Sequence, residues 1–577
     1  MKINKIIIFS LIFVINIPAS VSEAAQVYGD VWGVWDSTMN PIEVIGELRV
    51  PPDSSLIIGP GCYIEFQDYY ALTLDTSAAF IRAIGTEEDS IIFTSAFGRV
   101  WNGIDIYSAD TTCEFSYCVI EKAYVNIEDI FIGSGGAIHC ELTDLNIRNC
   151  RISNNRSLRG FGGGIFIYCA NIYISNSIVS NNFCAFGGSG IYSGFCIDNG
   201  KAEIINNIFE NDTTFYPLGS GNSGAVECTY CTDIVFKENI VKNNLSYGVG
   251  AVLLSSSVAT ISKNVLRGNL GWAGRSGFFI TVEDSGLVAY NEITYNGNVN
   301  SGGFEGSGLA LFGFNTGVYN NIITFNETGS FAGGVYLAGS NNSFINNIIA
   351  YNRAYNGGGI YIDNTSNQIP NILKNNIIWG NFANYNPQIF NEGNRPLEIL
   401  YCDVEGGWPG VGNIDIDPLF RDTAGGDFHL MATYCGDPYD SPCIDVGDPT
   451  IQDYLLECDW GLGFLPSDMG AYGGGDSTLQ LVDDFQFSLP EKSTLLRNYP
   501  NPFNASTNIE FALLEASYIS ISIYDILGRE VELLYEGNKQ PGVHAVYWSA
   551  KDHPSGVYFA RMETGGITKT IKIMLLK

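Results

Sequence analysis

The chain has 577 residues, of which 46% are hydrophobic and only 16% charged, with 66 Gly and a formal net charge of -32. So much apolar content excludes an intrinsically disordered polypeptide. The acidity excludes a nucleic-acid binder, which needs a basic footprint for phosphate.

Residues 1–24 read as a secretory signal. Lys2 and Lys5 precede the apolar run from Ile6 to Ile17, which is too short to span a bilayer. Ser22-Glu23-Ala24 supplies small residues at the cleavage positions, so cleavage is expected after Ala24. No other segment reads as transmembrane. All 14 Cys precede position 459, and an exported chain can oxidise them. The best disulfide candidates are Cys435, Cys443 and Cys458, in a loop-rich stretch. Cys228-x-x-Cys231 has redox or zinc spacing but lacks a second pair or a nearby His. Stacked core cysteine is the plainer reading.

From about 145 to 381 a phrase of about 28 residues repeats: an Asn-rich turn, apolar alternation, a Gly cluster and a short apolar strand. The Asn markers are Asn149, Asn176, Asn207, Asn239, Asn264, Asn291, Asn321, Asn347 and Asn376. The apolar pieces are short, β-branched and alternating, so they read as strands. Gly and Asn supply the positive-φ corners between them. Several strands per fixed repeat, with no room for a helix, describe a coil stacked on itself. Each coil then pairs with those above and below, and Asn at a repeated corner hydrogen-bonds along the stack. A β-propeller needs longer repeats.

The Gly-led strands Gly162-Gly163-Gly164-Ile165-Phe166-Ile167, Gly333-Gly334-Val335-Tyr336-Leu337 and Gly357-Gly358-Gly359-Ile360-Tyr361-Ile362 carry this pattern. Upstream, Pro60-Gly61-Cys62-Tyr63-Ile64-Glu65-Phe66 and Trp101-Asn102-Gly103-Ile104 read as opening coils. Over about 30–400 the chain resembles the right-handed parallel β-helix, or pectate-lyase-like, proteins. The resemblance implies an all-β, single-stranded parallel solenoid, here over 25–397.

The rhythm stops over 398–476, which holds 16 Asp/Glu and one basic residue, Arg421. Asp417-Pro418-Leu419-Phe420, Ser441-Pro442-Cys443-Ile444-Asp445 and Asp468-Met469-Gly470-Ala471-Tyr472 resemble the segment that closes secreted bacterial β-helices. It is expected to cover the open end of the stack, whose unpaired strands would otherwise aggregate. Asp415, Asp417, Asp445 and Asp448 offer the hard oxygen ligands that Ca²⁺ prefers, although not at EF-hand spacing. Asp in these positions equally suits turns.

Residues 477–490 read as a linker. Beyond it, 491–577 hold 9 basic and 9 acidic residues, against 18 and 51 over 25–490, which marks a separate domain. Alternating runs broken by Gly and Pro turns predict a small β-sandwich of about seven strands. Asn498-Tyr499-Pro500-Asn501-Pro502-Phe503-Asn504, Tyr524-Asp525-Ile526-Leu527-Gly528-Arg529-Glu530-Val531 and Pro554-Ser555-Gly556-Val557-Tyr558-Phe559 closely resemble the type A C-terminal sorting domain of the type IX secretion system. That resemblance implies the secretion machinery as partner, recognition at the outer membrane, removal of the domain, and release or attachment at the cell surface.

No complete catalytic motif is present. The Asn-Thr-Asp, Asp-Asp and Gly-His-Gly set of polygalacturonase-like hydrolases and the Arg-x-Pro-x-x-Arg signature of pectate lyases are both missing. Only His139 of the four His lies in the coil. Two features point to a site. If the residue after each Gly cluster faces inward, the next faces out. Phe166, Tyr192, Phe279, Tyr336 and Tyr361 then form an outer aromatic column, interrupted by Val226, Val252 and Ala310. Flat rings suit the apolar faces of sugars; a stabilising ladder is the alternative. The second feature is the basic group Lys237, Lys242, Lys263, Arg267 and Arg275. Lys242 and Arg267 are expected in one column, with Glu210 one coil earlier and Glu238 nearby as neutralising partners. The sharper reading makes Lys242 and Arg267 a uronate-binding or lyase pair, neutralising a carboxylate and removing the proton beside it. Two functions therefore stand: a secreted or surface β-helix that binds polysaccharide as an adhesin or structural protein, and a polysaccharide lyase or glycoside hydrolase.

Overall fold

The computed structural model describes residues 24–576 except 75–77, 108–111, 128–132, 195–199, 216–222, 249, 272–275, 299–305, 364–368, 394, 452, 454–457, 459–465, 475–493, 500–505, 514–516, 540–541, 552 and 565–566. The expected secretory signal, the linker and Arg275 therefore lie outside the described residues. The chain forms two compact units, one up to Gly475 and one from Asp476 to Lys577.

The first unit is a parallel β-solenoid of about 12 turns that ends at Val404. One coil shows how the sequence makes it. Ile165–Tyr168, Ile172–Ser175, Ile178–Ser180 and Phe183–Cys184 are four short strands in succession. Each pairs in parallel with its equivalent in the next coil: Ile165 with Ile191, Ile172 with Ala202, Ile178 with Ile208, and Phe183 with Thr213. Four strips of strands thus run along the coil, called here first to fourth in chain order. Alternation sends Ile165, Ile167, Ile172, Ile174 and Val179 into one continuous apolar interior. The chain turns between the second and third strips, and again after the third, on single left-handed residues such as Asn176 (φ 52°) and Asn181 (φ 56°). Asn tolerates that conformation better than most residues.

Directly after most of these corners comes a buried polar residue, usually Asn, and the residues at this position form two rows along the stack. In one, the backbone N–H of Ser177 donates to Asn207 Oδ1, Asn207 to Asn239, Asn239 to Asn264, and onward to Asn376. In the other, Asn155, Asn182, Asp212, Asn244, Asn269, Asn296, Asn326, Asn352 and Asn381 do the same. The expected Asn column is therefore real and doubled, but its first two markers are one residue out. Asn149 and Asn176 hold the left-handed corners, while Cys150 and Ser177 stand in the row. A Ser hydroxyl or a thiol accepts the same N–H, so composition alone does not reveal the shift.

The acidic segment 398–476 departs from the expected end cap. A short part closes the end: Trp408 packs on the interior, Cys402 donates its N–H to Asn413 Oδ1 at 2.9 Å, and Val404 pairs with Ile414. The rest folds back along the side of the last coils. Phe420, Phe428, Leu430, Met469 and Ala471 cover the outward Ile348, Ala350 and Ile377 of the third strip. Corner residues latch it: Asn320 Nδ2 donates to the carbonyls of Ala471 and Gly473, and Asn346 Nδ2 to that of Asp468. Lys374 pairs with Asp448 at 2.9 Å. Those Ile side chains face outward on an apolar strip and need a partner, which the returning chain supplies. Cys435 and Cys458 form a disulfide in this segment. Cys443 is instead a buried thiol that donates to Asp403 Oδ2 at 3.2 Å.

Among the described residues the second unit has seven strands in two antiparallel sheets, one of three and one of four, as the alternation predicts. Ile509, Phe511 and Trp548 from the first sheet share a core with Ile519, Ile521, Ile523, Ala560, Met562 and Ile573 from the second.

Asp212 is the exception in the Asn rows. Its Oδ1 accepts the N–H and the side-chain amide of Asn182, but its buried Oδ2 has no partner. Burial holds the carboxyl well above its ordinary pKa. A raised folded pKa means that stability is lost as pH climbs from the unfolded value of about 3.9 toward the folded one. Asp212→Asn is expected to stabilise the coil increasingly over that window, by up to about 1.4 kcal/mol per pH unit, and to change little near pH 4. Urea midpoints of both proteins from pH 4 to 8 check this.

Candidate functional site

The outward face of the first strip was expected to carry the aromatic column, and it does. Phe166 pairs with Tyr192, Phe279 with Ala310, Ala310 with Tyr336, and Tyr336 with Tyr361. Two of the expected interruptions are misplaced. Ala225 and Ala251 stand where Gly164 and Gly190 stand in other coils, so the strand starts one residue later. Val226 and Val252 point inward, and Glu227 and Leu253 occupy the column.

The larger correction concerns exposure. Phe166 is 0% exposed, Tyr336 4%, Tyr361 6% and Tyr192 8%. Phe279 is half-buried. The preceding loops lie on the rings. A Cβ at Gly306 would sit 3.0 Å from Tyr336 Cβ, and one at Gly357 3.0 Å from Tyr361 Cβ, each at a left-handed φ. Phe161 packs on Tyr192 with ring centroids 4.5 Å apart, and Phe331 on Tyr361 at 5.0 Å. Ala310, Ala332, Tyr336, Ala338 and Tyr361 form a second apolar layer outside the coil. The covered rings are a loop-bearing core and do not present flat faces to a sugar. Glu227 is caught in it, its Oε2 accepting the Ser223 N–H at 3.1 Å, and burial pushes its carboxyl up to about 8.

Toward the amino-terminal end the same column turns polar. Arg49, Thr73, Asp105, His139 and Phe166 are successive partners on adjacent strands. Two residues along each strand, Tyr107, Glu141 and Tyr168 form a parallel, half-buried row. Several functional groups meet here. His139 is fully buried, with its ring between Tyr107 at 5.1 Å and Phe166 at 5.0 Å. Its Nε2 lies 2.9 Å from Glu141 Oε1, while Nδ1 is buried without a partner. Asp105 stands beside it one coil earlier. Desolvation raises its carboxyl to about 6, opposed by His139 and reinforced by Glu47 and Glu141. Burial likewise raises the phenol of Tyr69, which is 38% exposed and feels Asp105 and Glu47.

Acid and imidazole thus converge with phenols at one place, and perturbed ionisation in such a cluster marks it as a candidate site. His139 is visible as the only His of the coil. Asp105 is not legible as its neighbour, because it lies 34 residues earlier and only register joins the two, while Glu141 follows two residues along the same strand.

The basic pair takes its bland alternative. Lys242 and Arg267 are column partners, but Lys242 Nζ lies 2.8 Å from Glu210 Oε2. The Arg267 guanidinium sits 5.2 Å over the Tyr295 ring. Glu238 pairs instead with Lys237, at 3.7 Å. Three of the four calcium candidates use their carboxylates on backbone and turns. Asp415 accepts the Gly406 N–H, Asp417 the Leu419 N–H, and Asp448 the Thr450 N–H while pairing with Lys374. Asp445 donates its own N–H to Asp468. Among the described residues no group of three or more His, Cys, Asp or Glu is arranged to hold a metal ion.

In the second unit, residues 497–576 match the family described as the secretion system C-terminal sorting domain. The carboxy-terminal unit is a type IX secretion sorting domain. It implies interaction with the type IX machinery and export to the cell surface or extracellular space. No curated protein and no solved structure matches the chain. No helix of the described residues is long and apolar enough to cross a membrane.

The covered column makes a testable claim on stability. Tyr336→Ala is expected to cost about 3–5 kcal/mol, as for a large core ring, whereas Lys242→Ala should cost less than about 1 kcal/mol. Urea unfolding of the two variants measures both.

Proposed function

We propose that this chain is an exported β-solenoid that binds a neutral, hydroxyl-rich polysaccharide at the Asp105–Glu141 face of the first strip, as a surface adhesin. One observation carries the reading: Asp105 and Glu141 project from adjacent coils beside the half-buried phenols Tyr107 and Tyr168. Carboxylates accept hydrogen bonds from sugar hydroxyls, and the flanking rings offer apolar faces to the ring C–H groups. Glu47, Asp105 and Glu141 together repel a uronate. Lys242 and Arg267, the groups that would attract one, already have partners.

The test is a glycan array with the purified exported protein, followed by titration of hits. Asp105→Asn and Glu141→Gln are each expected to weaken binding to a neutral glycan at least ten-fold. The wild-type affinity should rise as pH passes about 6, where Asp105 ionises, and Asp105→Asn should flatten that profile. Preference for acidic glycans, with loss on Lys242→Ala, would sink the reading.

A second reading rests on the Asp105 proton. A carboxyl raised to about 6 is a competent general acid toward a glycosidic oxygen, with Glu141 as its partner carboxylate. New reducing ends released at pH 5–6, and lost in Asp105→Asn, would establish a hydrolase.

A further inference from the structure

The sorting domain carries an apolar feature that its own fold does not use. Ser517–Tyr524 and Glu530–Lys539 are paired antiparallel strands, joined by the turn at Asp525-Ile526-Leu527-Gly528-Arg529. At its tip Ile526 is 70% and Leu527 71% exposed. Two adjacent aliphatic side chains left so open are unusual for a turn, where polar residues dominate.

The turn is also held rigid. Asp525 Oδ1 accepts the N–H groups of Leu527 at 2.9 Å and Arg529 at 3.0 Å. Its Oδ2 lies 2.7 Å from both Nε and Nη2 of Arg529, a bidentate clamp across the turn. Gly528 (φ 75°) completes the tight bend, and the Asp525 N–H closes it onto the Arg529 carbonyl at 3.0 Å. The clamp holds the carboxyl below its ordinary pKa, so it stays ionised in any export compartment near neutrality. A preorganised apolar knob loses little entropy on binding. The domain core is complete without it, since neither residue belongs to that cluster.

We propose that the Ile526–Leu527 knob is the part of the sorting domain that the export machinery grips, seated in an apolar pocket of an outer-membrane receptor protein. The occupant follows from the page: this unit belongs to a sorting family, so an export protein must read some surface of it. The domain holds equal numbers of acidic and basic residues, so long-range charge is a poor handle, and a fixed apolar pair is the better one.

The test uses the full-length chain expressed in a cell with the type IX system. Ile526→Ser combined with Leu527→Ser is expected to lower the exported fraction at least ten-fold, with the chain retained in the periplasm. Asp525→Ala, which frees the turn but keeps the knob, should give an intermediate loss. Tyr518→Ser, at a 58% exposed ring on the same sheet, should export normally. A photo-crosslinking side chain at position 527 keeps the turn and should yield an adduct with an outer-membrane export protein, identified by mass spectrometry. Wild-type export of the double Ser variant, equal loss for Tyr518→Ser, or no such adduct in exporting cells would each overturn the proposal.

Discussion

Most coils pass the N–H groups at their corners to a side-chain oxygen of the next coil, and a few to a thiol sulfur. Asn is suited to this because one side chain both accepts and donates. Asn264 Oδ1 takes the N–H and the amide of Asn239, while its own amide reaches the Phe236 carbonyl and Asn291. A corner buried without such a partner would cost about 1–3 kcal/mol per group. Repeated along the stack, the rows let sharp corners sit beside a dry interior, and they hold the register on which every outward column depends.

That register produces three different surfaces from one pattern. On the first strip, outward aromatics are roofed by Gly-rich loops and become a second apolar layer. On the third strip, outward Ile348 and Ile377 receive the returning acidic chain. Toward the amino-terminal end the outward face of the first strip turns polar, and there Asp105, His139 and Glu141 meet. The polar meeting point therefore adjoins a rigid aromatic wall, because Phe166 closes one side of the His139 ring. A site built on strands next to a packed layer is held more firmly than one built on loops.

The two units solve separate problems. The coil is strongly acidic and presents its chemistry on a long repeated face. The sorting domain is neutral and small, with an independent core around Trp548 and Ile521.

Much of this was legible before any coordinates. The repeat of about 28 residues, its short alternating strands and the compositional break near 490 depend on local pattern, and local pattern is written in order along the chain. The sorting text, likewise, is contiguous. What failed were single-residue offsets. The pattern offers Asn149 in place of Cys150 and Val226 in place of Glu227, because an alternating strand looks the same when shifted by one until its neighbour fixes the phase. Exposure was not legible either: a ring pointing out of a strand reaches solvent only if no other chain lies on it. The loops over Tyr336, the chain folded onto Ile377, the pairing of Lys242 with Glu210 and the union of Asp105 with Glu141 all join residues distant in sequence. Sequence alone determined the periodic backbone and the export address, since both are local. Tertiary structure alone decided which outward side chains were covered, neutralised or brought together, since burial and charge depend on whatever lies across the gap.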